Sequence, residues 1–437
     1  MVDEQESADG YVAVIGLGYV GLPLAALLAT VRSVVGVDTS AAIRAAVDKG
    51  VPPFYEPGVG ELLQSLPTGA LITAETLPEA PPDAVVICVG TPVDPTSGEP
   101  DISQLTAAVT GVAAHLGPET LVIVRSTVSV GTCRRVVLPI LRSAVSAPLL
   151  AFCPERIVQG SALHELATLP QIVGGLDDRS VERARRVLAP VAPDQVMVSS
   201  LEAAETVKLI CNAHTDLIYG FGNEVALMAD RLGLDAYELI ESANLRYPRP
   251  DLSRPGYVGG SCLTKDPYLL LRAARQAGHH LPMVAAARNV NESLPHYAVE
   301  RTLRALETAG KVPGDVTAAV AGIAYKGRPE TDDVRGAASG PVAEALRSQI
   351  ASLRGHDFLV PSETIAGLGF EPTELDEGLR GADALIMLTD HPGYQELDAE
   401  RLLTLMAPDP VVFDMWGSLH SKLAGVPGLT YLGLGRG

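Results

Sequence analysis

The stretch Tyr11-Val12-Ala13-Val14-Ile15-Gly16-Leu17-Gly18-Tyr19-Val20-Gly21-Leu22-Pro23-Leu24 decides how the rest of the chain is read. An apolar, β-branched run enters a Gly-x-Gly-x-x-Gly turn, and an apolar helical pattern opens directly after it. In such a strand–turn–helix unit the first glycine makes the tight turn. The second lets backbone approach a pyrophosphate, and the third lets helix pack on strand. Tyr19 and Val20, between the second and third glycines, belong to the same expected contact surface. The next β-branched run, Val34–Asp38, closes on a carboxylate where it can bind a ribose 2′-hydroxyl and repel a 2′-phosphate. The expected cofactor is therefore NAD rather than NADP.

Outward from this unit, short apolar runs alternate with Ala/Leu-rich helical stretches. Candidate strands are Ala84–Val89, Leu121–Arg125, Leu149–Cys153, Ile172–Gly174 and Val196–Ser199. Strands separated by helices at this rhythm predict a parallel, doubly wound sheet, with ligands beyond the carboxyl ends of its strands. Gly90-Thr91-Pro92 and Ser126-Thr127 stand at two such ends and are candidate cofactor contacts; hydroxyls that cap the following helices are the alternative. Glu202–Leu232 has apolar spacing near 3.6 and predicts a long helix, weakened by Gly220 and Gly222. A Pro/Gly/Arg-rich loop, 248–260, precedes helical patterns at Asp266–Gln276 and Val284–Leu306. The β/α rhythm then returns at Val316–Ile323, Asp357–Val360, Ala384–Leu388, Val411–Phe413 and Leu429–Leu432. The expected class is α/β: a flexible tail over 1–10, a Rossmann-type NAD-binding domain over 11–200, a central long-helix region over 201–310, and a smaller Rossmann-like domain over 311–437.

A chain of 437 residues has room for two or three domains, and 47% apolar against 19% charged residues is the composition of a folded protein. The net charge of −19 argues against non-specific association with nucleic acid or anionic membrane. Five cysteines at 88, 133, 153, 211 and 262 are unpaired in spacing, so neither a disulfide framework nor a metal site is expected. The first ten residues lack an apolar leader core, and no run is long enough to span a bilayer, so a cytoplasmic protein is expected.

The most chemically pointed segment is Arg254-Pro-Gly-Tyr257-Val258-Gly259-Gly260-Ser261-Cys262-Leu-Thr-Lys265-Asp266. A cysteine after a glycine-rich loop and at a helix start can be activated, because free backbone N–H groups favour the thiolate. Asp266, four residues on, is expected one helical turn away on the same face. Lys208 and Asn212 stand one turn apart on the long helix and share a face.

Together Gly16–Gly21, Thr91-Pro92, Ser126-Thr127, Phe152-Cys153-Pro154-Glu155-Arg156, Lys208-x-x-x-Asn212, Val258–Asp266, Tyr325-Lys326 and Asp332-Asp333-x-Arg335 occur in an order that resembles the UDP-glucose/GDP-mannose dehydrogenase family. The resemblance implies oxidation of the C6 alcohol of a UDP-sugar to a uronic acid with two NAD. It implies that Cys262 carries thiohemiacetal and thioester intermediates, that Lys208 and Asn212 stabilise oxyanions, and that Asp266 relays a proton through water. Glu155 would bind sugar or order the hydrolytic water. Arg156, Ile157, Tyr257, Val258, Gly259, Gly260, Tyr325 and Lys326 would line the substrate. Arg246 or Arg249 would reach a neighbouring subunit's substrate, Arg335 would lie near the cofactor, and the protein would form a homodimer. Cys153-Pro-Glu-Arg156, His164-Glu-Leu and Gln171-Ile-Val-Gly-Gly, with Gln159 in place of a glutamate, resemble the UDP-N-acetylmannosamine branch. UDP-glucose is the next expected substrate. Two other readings are a two-electron β-hydroxyacid-type NAD dehydrogenase, which leaves Cys262 and the second α/β domain without a role, and a non-catalytic nucleotide-sugar or NAD sensor.

Overall fold

The computed structural model describes residues 10–94, 99–248 and 251–436. The chain packs as two compact units: residues up to Cys211 with Tyr268–Gly278, and Asn212–Pro267 with residues from His279 onward. Most of the expected tail over 1–10, and Arg249, lie outside the described residues.

The first unit is built on eight strands: β1 (Val12–Ile15), β2 (Val34–Val37), β3 (Leu71–Ala74), β4 (Ala84–Ile87), β5 (Leu121–Val124), β6 (Leu149–Phe152), β7 (Gln171–Gly175) and β8 (Gln195–Met197). Their order is β3-β2-β1-β4-β5-β6-β7-β8. Both faces are covered: Val12 and Val14 enter one core layer, Ala13 and Ile15 the other. This double burial is why these strands read as continuous apolar runs. Fully burying one such Val or Ile is worth about 1.5–3 kcal/mol.

Two expectations are corrected here. β3 was absent from the sequence reading: it is an edge strand, half-exposed, and its residues carry no buried run. The sheet is also not wholly parallel, because β7 pairs antiparallel with β6. The short helix between them, Ala162–Thr168, packs against the helix that follows the glycine turn, and Glu56 holds its start through the Gly160 and Ala162 amides. It does not cross the sheet, so the chain re-enters at the end it left.

The second unit carries six strands: β9 (Thr317–Ala321), β10 (Ser352–His356), β11 (Glu371–Pro372), β12 (Ala384–Met387), β13 (Val411–Asp414) and β14 (Thr430–Gly433). All pair parallel in the order β11-β10-β9-β12-β13-β14, the order of the first six strands of the other sheet. The expected strand at Asp357–Val360 is a correction: the strand is β10, and Asp357 opens the turn after it. There its carboxylate accepts from the Ile323, Ala324, Leu359 and Val360 amides at 2.8, 3.0, 2.9 and 3.2 Å.

A helix over Leu201–Leu232 runs from the first unit into the second, unbroken at Gly220 and Gly222. These glycines serve packing: a Cβ on Gly220 would stand 2.9 Å from that of Ala287, and one on Gly222 would stand 2.3 Å from the Ser253 carbonyl oxygen. The C-terminal residues return to this region. Leu434 is buried, the Gly435 carbonyl accepts from the Ala236 amide at 2.9 Å, and the Arg436 guanidinium lies 3.9 Å from the Tyr237 ring centre. Arg436 also pairs with Asp235, which caps the helix Ala236–Asn244.

Candidate active site

In the first unit the glycine turn has the geometry a dinucleotide requires. Gly16 has φ +90°, and a Cβ there would stand 2.9 Å from the Cys88 carbonyl oxygen. A Cβ on Gly21 would stand 1.8 Å from the Gly16 carbonyl oxygen, while one on Gly18 would meet nothing within 4 Å. The first and third glycines are thus demanded by the fold, and the second leaves a cradle open. The Asp38 carboxylate is fixed by the Leu17 amide at 2.9 Å and the Ser40 amide at 2.8 Å. Each oxygen keeps a further lone pair for a hydroxyl. Tyr19 packs on Phe54, ring centres 4.2 Å apart. Val20 precedes the helix Gly21–Ala29, whose first turn holds no acidic residue to compete with an anion.

Strand ends complete this edge. Thr91 donates to the Thr127 carbonyl at 2.5 Å and Ser126 to the Val89 carbonyl at 2.7 Å, so the hydroxyls tie the ends of β4 and β5 together instead of capping helices. Gly90 and Pro92 are exposed beside them. The residues present fit NAD: an open glycine cradle, a pre-oriented carboxylate and laced strand ends.

After β6, Glu155 is buried and fully engaged. One oxygen pairs with the buried Arg125 guanidinium, and the other accepts from the Arg156 and Ile157 amides at 2.7 and 3.0 Å. Arg125 also reaches Gln171 at 3.1 Å. Arg156 donates to the Pro170 carbonyl and is half-buried, as is Ile157. Lys208 is buried on the long helix and has no ion pair among the described residues.

The second unit holds Asn212, Cys262 and Asp266. Gly259, Gly260 and their partners shape the cysteine turn: Gly260 has φ +89°, its amide donates to the Gly336 carbonyl at 3.2 Å, and a Cβ on it would stand 2.8 Å from the Tyr325 ring. Lys326 lies 5.4 Å from that ring centre. Cys262 is exposed on a one-turn helix, Gly260–Leu263. The continuous turn expected from Cys262 to Asp266 is corrected, because Thr264 and Lys265 break it and a new helix starts at Asp266. Pro267 is the cause: it has no N–H to offer the Leu263 carbonyl four residues back. Asp266 is fully buried, accepts from Asn212 at 2.5 Å through one oxygen, and has the Lys265 ammonium 3.3 Å from the other. That second oxygen has no directed hydrogen bond among the described residues.

Tyr257 and Val258 are buried, and burial pushes the Tyr257 hydroxyl up to about 12. Arg246 is exposed with φ +51°, and Arg335 is held by Asp333 through paired contacts of 2.9 and 2.7 Å. Cys133 and Cys153 are buried and Cys88 half-buried; desolvation raises all three thiols, leaving Cys211 and Cys262 as the exposed ones.

Sequence reasoning missed Arg125, the partner of Glu155, and a fully buried group of Asp216, Asn223, Arg288 and Asn291. Asn223 exchanges two hydrogen bonds with the Gly256 backbone at 2.8 and 3.0 Å and donates to Asn291 at 2.8 Å. Asn291 donates to the Asp216 carboxylate at 2.7 Å, and Arg288 lies 3.1 Å from that same oxygen. The one available signal was polar residues on the apolar face of a predicted helix.

A doubly wound sheet with an open glycine cradle and a carboxylate after β2 defines a dinucleotide-dependent dehydrogenase. Profiles of the NAD binding, central and UDP binding domains of the UDP-glucose/GDP-mannose dehydrogenase family match residues 11–192, 202–293 and 319–421. The UDP-N-acetyl-D-mannosamine dehydrogenase of Pyrococcus horikoshii is 33% identical over 400 residues, 90% of this chain and 92% of that one. An NDP-N-acetyl-D-galactosaminuronic acid dehydrogenase of Ralstonia nicotianae is 31% identical over 91% of this chain and 95% of its own. The solved UDP-glucose dehydrogenase of Pyrobaculum islandicum superposes with a TM-score of 0.86 at 30% identity, covering 100% of both chains. The chain belongs to the UDP-glucose/GDP-mannose dehydrogenase family and is an NAD-dependent nucleotide-sugar dehydrogenase. The two-electron and sensor readings find no such support. Among the described residues no helix is long and apolar enough to cross a membrane.

Proposed function

We propose that the protein oxidises the C6 alcohol of a UDP-N-acetylhexosamine to the uronic acid through a covalent adduct on Cys262. The observation that carries this is an exposed thiol on a turn moulded by Gly259, Gly260 and Gly336, followed by a buried Asp266 already bonded to Asn212. NAD, when bound, supplies the hydride acceptor for both oxidations. The Cys262 sulfur adds to the C6 aldehyde, forming the C–S bond of a thiohemiacetal. Loss of the second hydride leaves a thioester, and water cleaves the C–S bond to release the carboxylate. The Lys208 ammonium and the Asn212 amide, one helical turn apart, stabilise oxyanions on C6. Asp266 receives the proton of the attacking water. Glu155, with one oxygen on Arg125 and the other on the Arg156 and Ile157 amides, acts by fixing the loop that carries Arg156 and Ile157 toward the sugar, in place of the expected direct contact with sugar or water.

The cofactor is bound by Gly16, Gly18, Tyr19, Val20 and Gly21, by Asp38, and by Gly90, Thr91, Pro92, Ser126 and Thr127, with Arg335 near it. Tyr257 to Gly260, Tyr325 and Lys326 contact the UDP-sugar. Residues 11–200, 201–310 and 311–437 serve as cofactor, helical and nucleotide-sugar parts. The exposed Phe221, Met228 and Leu232, spaced along one side of the long helix, support a homodimer, read here as working in the cytoplasm, in which Arg246 or Arg249 reaches the partner's substrate. Arg156, whose guanidinium has one hydrogen bond, to the Pro170 carbonyl, among the described residues, supports the N-acetyl lean, because its remaining N–H groups can donate to an acetamido carbonyl. The test is NADH release from UDP-N-acetylmannosamine, UDP-N-acetylglucosamine and UDP-glucose. Two NADH per sugar are expected, and one would overturn the reaction. A kcat/KM favouring UDP-glucose more than about tenfold, some 1.4 kcal/mol, would overturn the sugar alone.

A further inference from the structure

The break between Cys262 and Asp266 leaves a carbonyl to be satisfied. In a continuous helix the Leu263 carbonyl would accept from the amide of residue 267, but that residue is proline. An unsatisfied carbonyl next to the nucleophile would be costly and free to re-aim. Instead Arg288, fully buried on the helix Pro282–Thr308, donates from Nη1 to the Leu263 carbonyl at 2.6 Å. The same nitrogen lies 3.1 Å from Asp216 Oδ1. Asp216 comes from the long helix, one turn past Asn212, and Asn291 fixes its carboxylate at 2.7 Å. Asn223 then ties Asn291 to the Gly256 backbone, at the other end of the loop that delivers Cys262. Both ends of the cysteine loop are therefore gripped by one buried polar chain.

We propose that Arg288 is a positioning residue for Cys262: it supplies the donor that Pro267 withholds, and Asp216 and Asn291 hold it in place, so that the thiol of the residue before Leu263 keeps one direction. This rests on the assignment of Cys262 as nucleophile. The arrangement has a built-in signature. Nη1 alone meets the Leu263 carbonyl and Asp216; Nε faces the half-exposed Glu292 carboxylate at 3.6 Å, and neither Nε nor Nη2 has a hydrogen-bond partner among the described residues. A lysine, with one ammonium, can therefore replace much of the function, whereas methionine of similar length cannot.

The experiment compares Arg288→Met, Arg288→Lys and Asp216→Asn in a Cys211→Ser background, so that Cys262 is the one exposed thiol. Three quantities are read: the second-order rate of Cys262 alkylation by iodoacetamide at fixed pH, kcat and KM with the best UDP-sugar, and Tm. Arg288→Met is expected to lower kcat at least tenfold with KM for the UDP-sugar and NAD within about twofold, and to change the alkylation rate several-fold. Arg288→Lys is expected to recover most of both while its Tm falls like that of the methionine variant. Should Arg288→Met not fold, Asp216→Asn decides, with a several-fold fall in kcat and an alkylation change in the same direction. Activity and alkylation that simply follow Tm, with lysine no better than methionine, would make Arg288 structural and overturn the proposal. So would an unchanged kcat in Arg288→Met or, if it does not fold, in Asp216→Asn. Cys262→Ser, run alongside, separates the two ideas: two NADH from that variant removes the nucleophile itself, whereas an inactive Cys262→Ser beside a fully active Arg288→Met removes only the positioning.

Discussion

Asp38, proposed above as the ribose-binding carboxylate, is held by the fold in a way that suits that role. Its oxygens are held by the Leu17 and Ser40 amides, so the carboxylate is aimed before any ribose arrives. Asp38→Ala is expected to weaken NAD binding about 10- to 100-fold, the scale of charge-assisted hydrogen bonds worth about 1.5–3 kcal/mol, and to narrow the preference over NADP. Fluorescence titration with both nucleotides checks it; unchanged NAD affinity would refute it. Cys262→Ser is expected to stop net uronate formation while NAD still binds, measured by product analysis beside the same titration. Asp216 gives a pH signature. Burial raises its carboxyl to about 6 against the opposing pull of Arg288. The folded state therefore favours the protonated form. Its contribution is fully present below about pH 4, is lost as pH rises through 6, and amounts to at most about 3 kcal/mol. Relative to Asp216→Asn, the native protein should lose unfolding free energy between pH 4 and 7 and not beyond, as denaturant titrations across that range would read.

At the scale of elements, the second and third glycines of the turn divide binding from fold. Gly21→Ala drives a methyl into the Gly16 carbonyl oxygen and should cost several kcal/mol of stability, read as a lowered Tm. Gly18→Ala meets nothing and should leave Tm within a degree or two while weakening NAD markedly. Equal losses of Tm in both would reject that division. The turn was legible in the sequence because its flanks and spacing obey one geometry. β10 was not: Ser352-Leu-Arg-Gly-His356 lacks the β-branched run that marks a strand, and the apolar Phe358-Leu-Val after it drew the reading off by one turn. The helix break at Thr264 could have been read from Pro267, but the carboxylate four residues past Cys262 suggested a continuous turn instead. The antiparallel β7 depends on where a seven-residue helix packs, which no local pattern encodes.

At the scale of the molecule, the acidic balance, the α/β rhythm and the order of motifs sufficed for the class of enzyme, whereas the pairing within the buried Asn223–Asn291–Asp216–Arg288 chain joins residues far apart in sequence, and polar positions on a helix face could not reveal it. The exposed apolar side of the long helix leads to another expectation. Phe221→Asp with Met228→Asp should convert a dimer into a monomer at micromolar concentration by sedimentation velocity. A native protein that is already monomeric would contradict the homodimer. Residues 434–436 tie one helix of the second unit down. With Leu434 buried, Gly435 bonded to the start of that helix and Arg436 stacked on Tyr237, they act as a clasp. Opening the clasp with Leu434→Asp should place the helix Ala236–Asn244 among the first segments cut in limited proteolysis.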